Sequence, residues 1–213
     1  RSGVKALLPL TRRMDAALTH HVSRLSYANA LRAHECTRER HLDGWTSGLH
    51  AVPVNHTGNS VASTEEASVV VDLVRTLVGA RWTDPSSGRT NDPLRPDDII
   101  IVTPYNAQRQ VLLDALAAAG LADMEVGTVD KFQGREAVIS IVSLAASDAS
   151  EVPRGMEFLI NRNRLTVAIS RAQWASWLIH SPALTTHLPT TVSGVKELSA
   201  FVRIVETADS SSF

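Results

Sequence analysis

Only one of the 213 residues is a cysteine, Cys36, so no disulfide can form within the chain and a reducing, cytoplasmic setting is expected. No apolar run approaches the ~18 residues that a membrane-spanning helix needs, so no membrane partner is expected. A surplus of charge is missing too. The net charge is −1, so any contact with nucleic acid must come from a local stripe of side chains and not from the bulk field. His20 and His21 are adjacent, and His34, Cys36 and His41 lie close together, but the paired four-ligand spacing of a metal site is absent, so no metal ligands are expected. There is no Gly-Lys pair, hence no P-loop lysine to cradle a phosphate. No internal repeat is visible. The opening residues Arg1-Ser-Gly-Val carry neither an initiator methionine nor a signal-peptide pattern, and the expectation is a piece of a longer polypeptide.

What is present is an ordinary globular balance, 44% hydrophobic and 20% charged, in a length that supports a real core. Residues 4–31 read as helical, with Met14, Leu18, Val22 and Leu25 at three- and four-residue steps. Residues 32–60 look irregular, apart from a short strand over 49–54. Ser63-Thr-Glu-Glu66 is a capping box, in which Ser63 takes the amide of Glu66 and Glu66 reaches back to that of Ser63. The helix it opens would bury Val69, Val70, Leu73, Val74, Leu77 and Val78 and end at Gly79. Residues 80–98, rich in Pro, Gly, Asp and Ser, read as a loop insertion. Ile99-Ile-Ile-Val102 has the β-branched run of a central parallel strand. Asn106 is the expected N-cap of a helix over 107–119. Strands follow at 124–129, 137–144 and 174–180, with helices at 161–173 and 192–205 and a frayed tail at 207–213. Alternating strands and helices make an α/β fold, a mostly parallel sheet with helices on both faces, in one domain over 1–206.

Three polar segments sit among these elements: Thr103-Pro-Tyr-Asn-Ala-Gln108, Gly127-Thr-Val-Asp-Lys-Phe-Gln-Gly-Arg-Glu136 and Asn161-Arg-Asn-Arg-Leu-Thr-Val-Ala-Ile-Ser-Arg-Ala172. The middle one joins two strands, which predicts that its side chains collect at one sheet edge, where α/β proteins place ligands. Thr128, Pro104, Tyr105, Asn106 and Gln108 fall at strand ends, and hydroxyls, amides and helix N-termini hold phosphates without reading sequence. Tyr105 has two readings, a base-stacking platform or packing beside Pro104.

In content, order and spacing the three segments resemble motifs IV, V and VI of superfamily 1 helicases, in the branch of the nonsense-mediated-decay helicase and the Okazaki-fragment nuclease-helicase. Arg13-Met14, with Leu18, Tyr27 and Leu31 behind, is similar to the segment that opens the second motor domain of that family. The resemblance implies a RecA-like, P-loop NTPase-type three-layer fold without its own P-loop. It implies a C-terminal motor domain that works on ATP with Mg²⁺, the nucleotide being shared with an N-terminal RecA-like domain of the same polypeptide, and on single-stranded DNA or RNA. Related helicases also carry fused nuclease domains.

By the same resemblance Arg171 corresponds to the arginine finger and Arg13 to a second γ-phosphate contact. Glu136 matches the residue that holds the ribose, and Gln133 and Gly134 shape that loop. Two positions depart from the pattern: Arg12 stands where the family has an adenine-stacking Tyr, and Thr166 where it has Asn. With half a site, the chain by itself is expected not to hydrolyse ATP. Two other readings stay open. One is a non-catalytic module that binds nucleic acid or protein. The other is an independent phosphatase or nuclease using carboxylates such as Asp97, Asp98, Asp123 and Glu125, since nuclease chemistry needs a carboxylate cluster.

Overall fold

The computed structural model describes residues 9–132, 134–152 and 155–210. In chain order the elements are β1 (Leu10–Thr11), α1 (Ala16–Ser26), β2 (Arg32–Ala33), β3 (His41–Leu42), β4 (Gly48–Pro53), α2 (Thr64–Leu77), β5 (Arg81–Asp84), β6 (Arg89–Pro93), β7 (Ile99–Val102), α3 (Asn106–Ala118), β8 (Glu125–Gly127), β9 (Ala137–Ser143), α4 (Met156–Leu159), α5 (Arg162–Ile169), β10 (Ala172–His180), α6 (Val192–Thr207) and β11 (Asp209–Ser210).

Six strands form a sheet in the order β11-β4-β10-β9-β7-β8, with every pairing parallel. The β-branched runs explain this sheet. Every residue of β7 and β9 is buried. Ile100 and Val102 join one core with Leu18, Leu165 and Phe201, while Ile99 and Ile101 join the other with Leu73, Leu112 and Trp177. A strand that is apolar on both faces needs helices above and below it. Those helices are α1, α4, α5 and α6 on one side and α2 and α3 on the other, a three-layer arrangement.

The helix expected over 4–31 is shorter. Residues 4–8 lie outside the described residues, β1 follows, and α1 begins only after Asp15, whose carboxylate caps the Ala17 amide at 2.8 Å. Residues 80–98 are not the irregular loop expected. They contain the antiparallel hairpin β5–β6, which pairs with β3 to make a second, three-stranded sheet. Trp82 anchors the hairpin, fully buried against Trp174. The segment expected to fray at 207–213 holds the end of α6 and then β11, paired with β4. Residues 211–213 lie outside the described residues.

Ser63 does cap α2, accepting from the Glu66 amide at 3.1 Å, but the reciprocal half of the box is not formed. The Ser63 amide instead donates to Gln108 Oε1 at 2.6 Å. Glu66 turns into the core, where its carboxylate meets His56 Nε2 at 3.2 Å, Ser143 Oγ at 2.6 Å and the Ala145 amide at 2.9 Å.

Gly127, at the end of β8, is required by packing and not by backbone angle. A Cβ there would run into Lys131 Cδ and would lie 3.0 Å from Lys131 Cβ and 3.1 Å from the buried ring of Phe132. Gly127→Ala is therefore expected to destabilise the chain by about 1–3 kcal/mol, the usual cost of overpacking. Urea unfolding of the two proteins checks this, and an unchanged midpoint would contradict it.

Candidate functional site

Parallel strands run the same way, so the connection from β8 to β9 must return across the full height of the sheet. This corrects the expectation that the side chains of 127–136 gather at one edge. Thr128 follows the C-terminal end of β8, whereas Glu136 precedes the start of β9. The segment is pinned between by Phe132, which is fully buried, and α5 runs alongside it. Two sites result, one at each end of the sheet.

At the N-terminal end, β9 and β10 begin side by side. Ala137 pairs with Ala172, and the Ala137 amide donates to the Arg171 carbonyl at 3.1 Å. Glu136 and Arg171 are therefore neighbours by register. The third member arrives through α1. The Asp15 amide donates to the Gln173 carbonyl at 2.7 Å, which sets Arg13 against the start of β10. Arg13 Nε then donates to Glu136 Oε1 at 2.6 Å, and its Nη1 to the Ser170 carbonyl at 3.3 Å. Arg171 Nε donates to the Val167 carbonyl at 3.2 Å, where a cation favours the C-terminal end of α5.

Arg13, Glu136 and Arg171 thus share one mouth. Two guanidinium groups face one carboxylate, and the charge left over is positive. Burial lowers the pKa of Arg171, and the charge of Arg13 lowers it further, while Glu136 and Tyr27 oppose the shift more weakly. Arginine stays charged all the same, so this cation is under-compensated and gains from an anion. A phosphate, with its planar sets of oxygens, suits paired guanidinium forks. Gly134, exposed at φ +84°, lies in the same loop, and Arg12 is exposed beside Arg13. Gln133 lies outside the described residues.

At the C-terminal end a cleft of about 260 Å³ opens over β7, β8 and β9. Of the expected strand contacts, Pro104, Asn106 and Thr128 line it. Asn106 is the first residue of α3, and Tyr105 is the N-cap, with no side chain bonded to the helix end.

Two expected contacts are corrected. Gln108 is fully buried, because its amide is consumed inside: Nε2 donates to the Ser63 carbonyl at 3.1 Å and to Ser143 Oγ at 3.0 Å. Tyr105 is 9% exposed and packs in the core beside Phe158, ring centroids 6.1 Å apart, which takes its face from any base.

Two residues that the sequence reading left out of the site line this cleft as well. Thr103 is fully buried, and its hydroxyl has no hydrogen-bond partner among the described residues. Arg164 stands over the Phe158 ring at 4.5 Å and lines both this cleft and a second hollow of about 310 Å³, bounded by Val129, Asp130, Asn163, Val167 and Arg171. Arg164 lies in the first turn of α5 and Arg171 two residues past its last, and both border this hollow. Their place in one arginine-bearing segment was the available signal.

Three of the other candidate groups, Asp98, Glu125 and His34, have local partners. Asp98 forms a two-point pair with Arg89 at 2.5 and 2.9 Å, and Glu125 pairs with Arg135 at 2.5 Å. His34 caps a short helical turn by accepting from the Cys36 amide at 3.1 Å. Among the described residues no group of three His, Cys, Asp or Glu is arranged to hold a metal, and no helix is long and apolar enough to cross a membrane. Thr166, the departure in the third segment, bonds Ser26 of α1 at 2.7 Å.

The family model AAA_12, described as an AAA domain, matches residues 2–182. Human HELZ2, named a 3′-5′ exoribonuclease, is 31% identical over 149 residues, which is 65% of this chain and 5% of that protein. The DNA replication ATP-dependent helicase/nuclease DNA2 of Bos taurus is 40% identical over 79 residues, 37% of this chain and 7% of that protein. The regulator of nonsense transcripts 1 homologue of Neurospora crassa is 33% identical over 95 residues, 42% of this chain and 8% of that protein. The chain spans less than a tenth of the length of each. Among solved structures, the C-terminal domain of a possible DNA helicase from Lactobacillus plantarum aligns with a TM-score of 0.47 and 16% identity, covering 82% of this chain and 89% of that one. A family match over most of the sequence, on a parallel sheet covered by helices on both faces, makes the chain a member of the AAA domain family AAA_12 and a RecA-like domain of the superfamily 1 helicases.

Proposed function

We propose that this chain is the second motor half of an ATP-dependent helicase or translocase, lending cations to a nucleotide held mostly by a first RecA-like domain. Arg171 is the finger that meets charge developing on the γ-phosphate, and Arg13 is the second cation there. Glu136 holds the ribose from the loop that includes Gln133 and Gly134, and Arg12 lies toward the base. The observation that carries this reading is the meeting of Arg13, Glu136 and Arg171 at the adjoining starts of β9 and β10. Phosphoryl transfer needs little covalent chemistry from protein, so positioned positive charge matters most. Mg²⁺ travels with ATP and neutralises phosphate charge. Glu136, ion-paired to Arg13, does not fit as a ligand for it, and the metal's ligands belong to the other half.

Grip on a single strand of DNA or RNA belongs to the opposite cleft. Thr103, Thr128 and Asn106 offer hydroxyl and amide groups, the first amides of α3 lie beside them, and Arg164 adds a cation. Such groups bind backbone phosphates and ignore base identity, as a motor stepping along any strand requires. α5 and the turn that follows it link the two ends, with Arg164 in the helix toward the strand and Arg171 just past its end toward the nucleotide, so a small shift of this segment changes both.

This reading predicts that the chain alone releases no phosphate from ATP above the uncatalysed rate. The polypeptide that joins it to a first motor domain does, and single-stranded nucleic acid accelerates it. Phosphate release with and without strand tests this. A two-domain protein whose turnover ignores the strand would contradict it.

A further inference from the structure

Arg40 is a buried arginine that neither end of the sheet explains. It is 7% exposed and lies just before β3. The pairing of β3 with β5, His41 opposite Thr83, puts Arg40 across from Asp84. Arg40 Nε lies 3.3 Å from Asp84 Oδ2, with both side chains nearly inaccessible. The other carboxylate oxygen of Asp84 is occupied by the amide and hydroxyl of Ser86, at 3.1 and 2.6 Å. The two remaining arms of the guanidinium go elsewhere: Nη1 donates to the Arg13 carbonyl, and Nη2 to the Arg12 carbonyl at 3.2 Å. One planar fork therefore grips two successive carbonyls, those of Arg12 and Arg13, and the second of these residues carries a cation of the nucleotide mouth.

We propose that Arg40 is a positioning residue for Arg13. Held in register by Asp84 of the β5–β6 hairpin, it fixes the backbone from which Arg13 reaches the nucleotide. This rests on the reading of Arg13 as a phosphate contact. A structural ion pair needs only the contact between Arg40 and Asp84. The grip on two adjacent carbonyls is the additional feature, and a lysine, as a point charge on a flexible stem, does not reproduce it. The hairpin thereby becomes a lever on turnover, because a displacement of Asp84 passes through one side chain to the backbone of Arg12 and Arg13.

The test compares Arg40→Lys, the paired change Arg40→Met/Asp84→Asn and the control Arg13→Ala, all in the two-domain protein, by thermal melting and by kcat and KM for ATP. Arg40→Lys keeps a charge opposite Asp84, and the paired change removes both charges, so both variants melt close to the parent. Both nevertheless lose kcat by about 10- to 100-fold, the scale of an ångström-level misplacement, with little change in KM. Arg13→Ala falls at least as far. If Arg40→Lys and the paired variant turn over at the parent rate while Arg13→Ala is impaired, the positioning role is wrong and the reading of the mouth survives. If Arg13→Ala itself turns over normally, the reading of the mouth fails and takes this inference with it. Should the paired variant not fold, Arg40→Lys alone decides.

Discussion

Arg171→Ala in the two-domain helicase lowers ATP turnover by about 10³-fold or more and leaves nucleotide binding in place, the scale at which finger arginines act in related phosphate chemistry. The size follows from where the charge is. Arg171 is partly desolvated and further unsettled by Arg13, and its need for an anion is only partly met by Glu136, which is already bound to Arg13. On the proposed reading such a cation is preorganised for charge that appears on the γ-phosphate only as the bond breaks, so kcat is expected to suffer more than affinity. The fold survives the change. In the structure the Arg171 side chain bonds the Val167 and Arg135 carbonyls, at 3.2 and 3.5 Å, contacts worth about 0.5–1.5 kcal/mol each in net terms. Phosphate release and equilibrium binding of a fluorescent nucleotide measure the two effects separately. Turnover within tenfold of the parent would reject the assignment.

Glu66→Ala gives the largest expected loss of stability, about 3–5 kcal/mol, because it removes one member of a fully buried polar cluster. Glu66 is inaccessible, and its carboxylate answers His56, Ser143 and the amide of Ala145. Truncation strands all three in the core with no water to replace the acid. The Ala145 amide matters most, since Ala145 is held at φ +69°, a left-handed conformation that alanine disfavours. Through this bond Glu66 fixes the chain as it leaves β9. Ser147 continues the arrangement, bonding His56 Nδ1 at 2.8 Å and the Asn59 amide at 2.9 Å. Glu66→Gln keeps the shape and most partners, so it costs about 1–2 kcal/mol. Urea unfolding of the chain alone measures both. An alanine variant within 1 kcal/mol of the parent would show that the cluster relaxes or takes in water.

The uninterrupted Ile99-Ile-Ile-Val102 run made the central strand legible, since only a doubly covered parallel strand is apolar on both faces. The grouping of Arg13, Glu136 and Arg171 could be expected from their motifs, and register on the sheet explains it. Polar residues near strand ends were harder. Gln108 and Tyr105 occupy a segment that reads as a ligand loop, yet α3 turns them inward, where Gln108 satisfies the backbone of Ser63 and Tyr105 fills the space beside Phe158. Glu66 misled for the same reason, because a capping box and a buried acid look alike until a histidine from a distant segment comes to meet it. Composition failed at 80–98, since Pro, Gly, Asp and Ser also build the tight turn of a hairpin, and Trp82 was the one sign of an anchored strand. The two-ended placement of 127–136 follows from parallel topology, which no local pattern carries.

The most direct measurement is a structure of the two-domain protein with ADP and a planar γ-phosphate mimic in the cleft. The account predicts the Arg171 guanidinium within about 3 Å of the mimic, released from the Val167 carbonyl, with Arg13 beside it and Glu136 on the ribose. A nucleotide bound with Arg171 still folded back on α5 and both arginines facing solvent would contradict it.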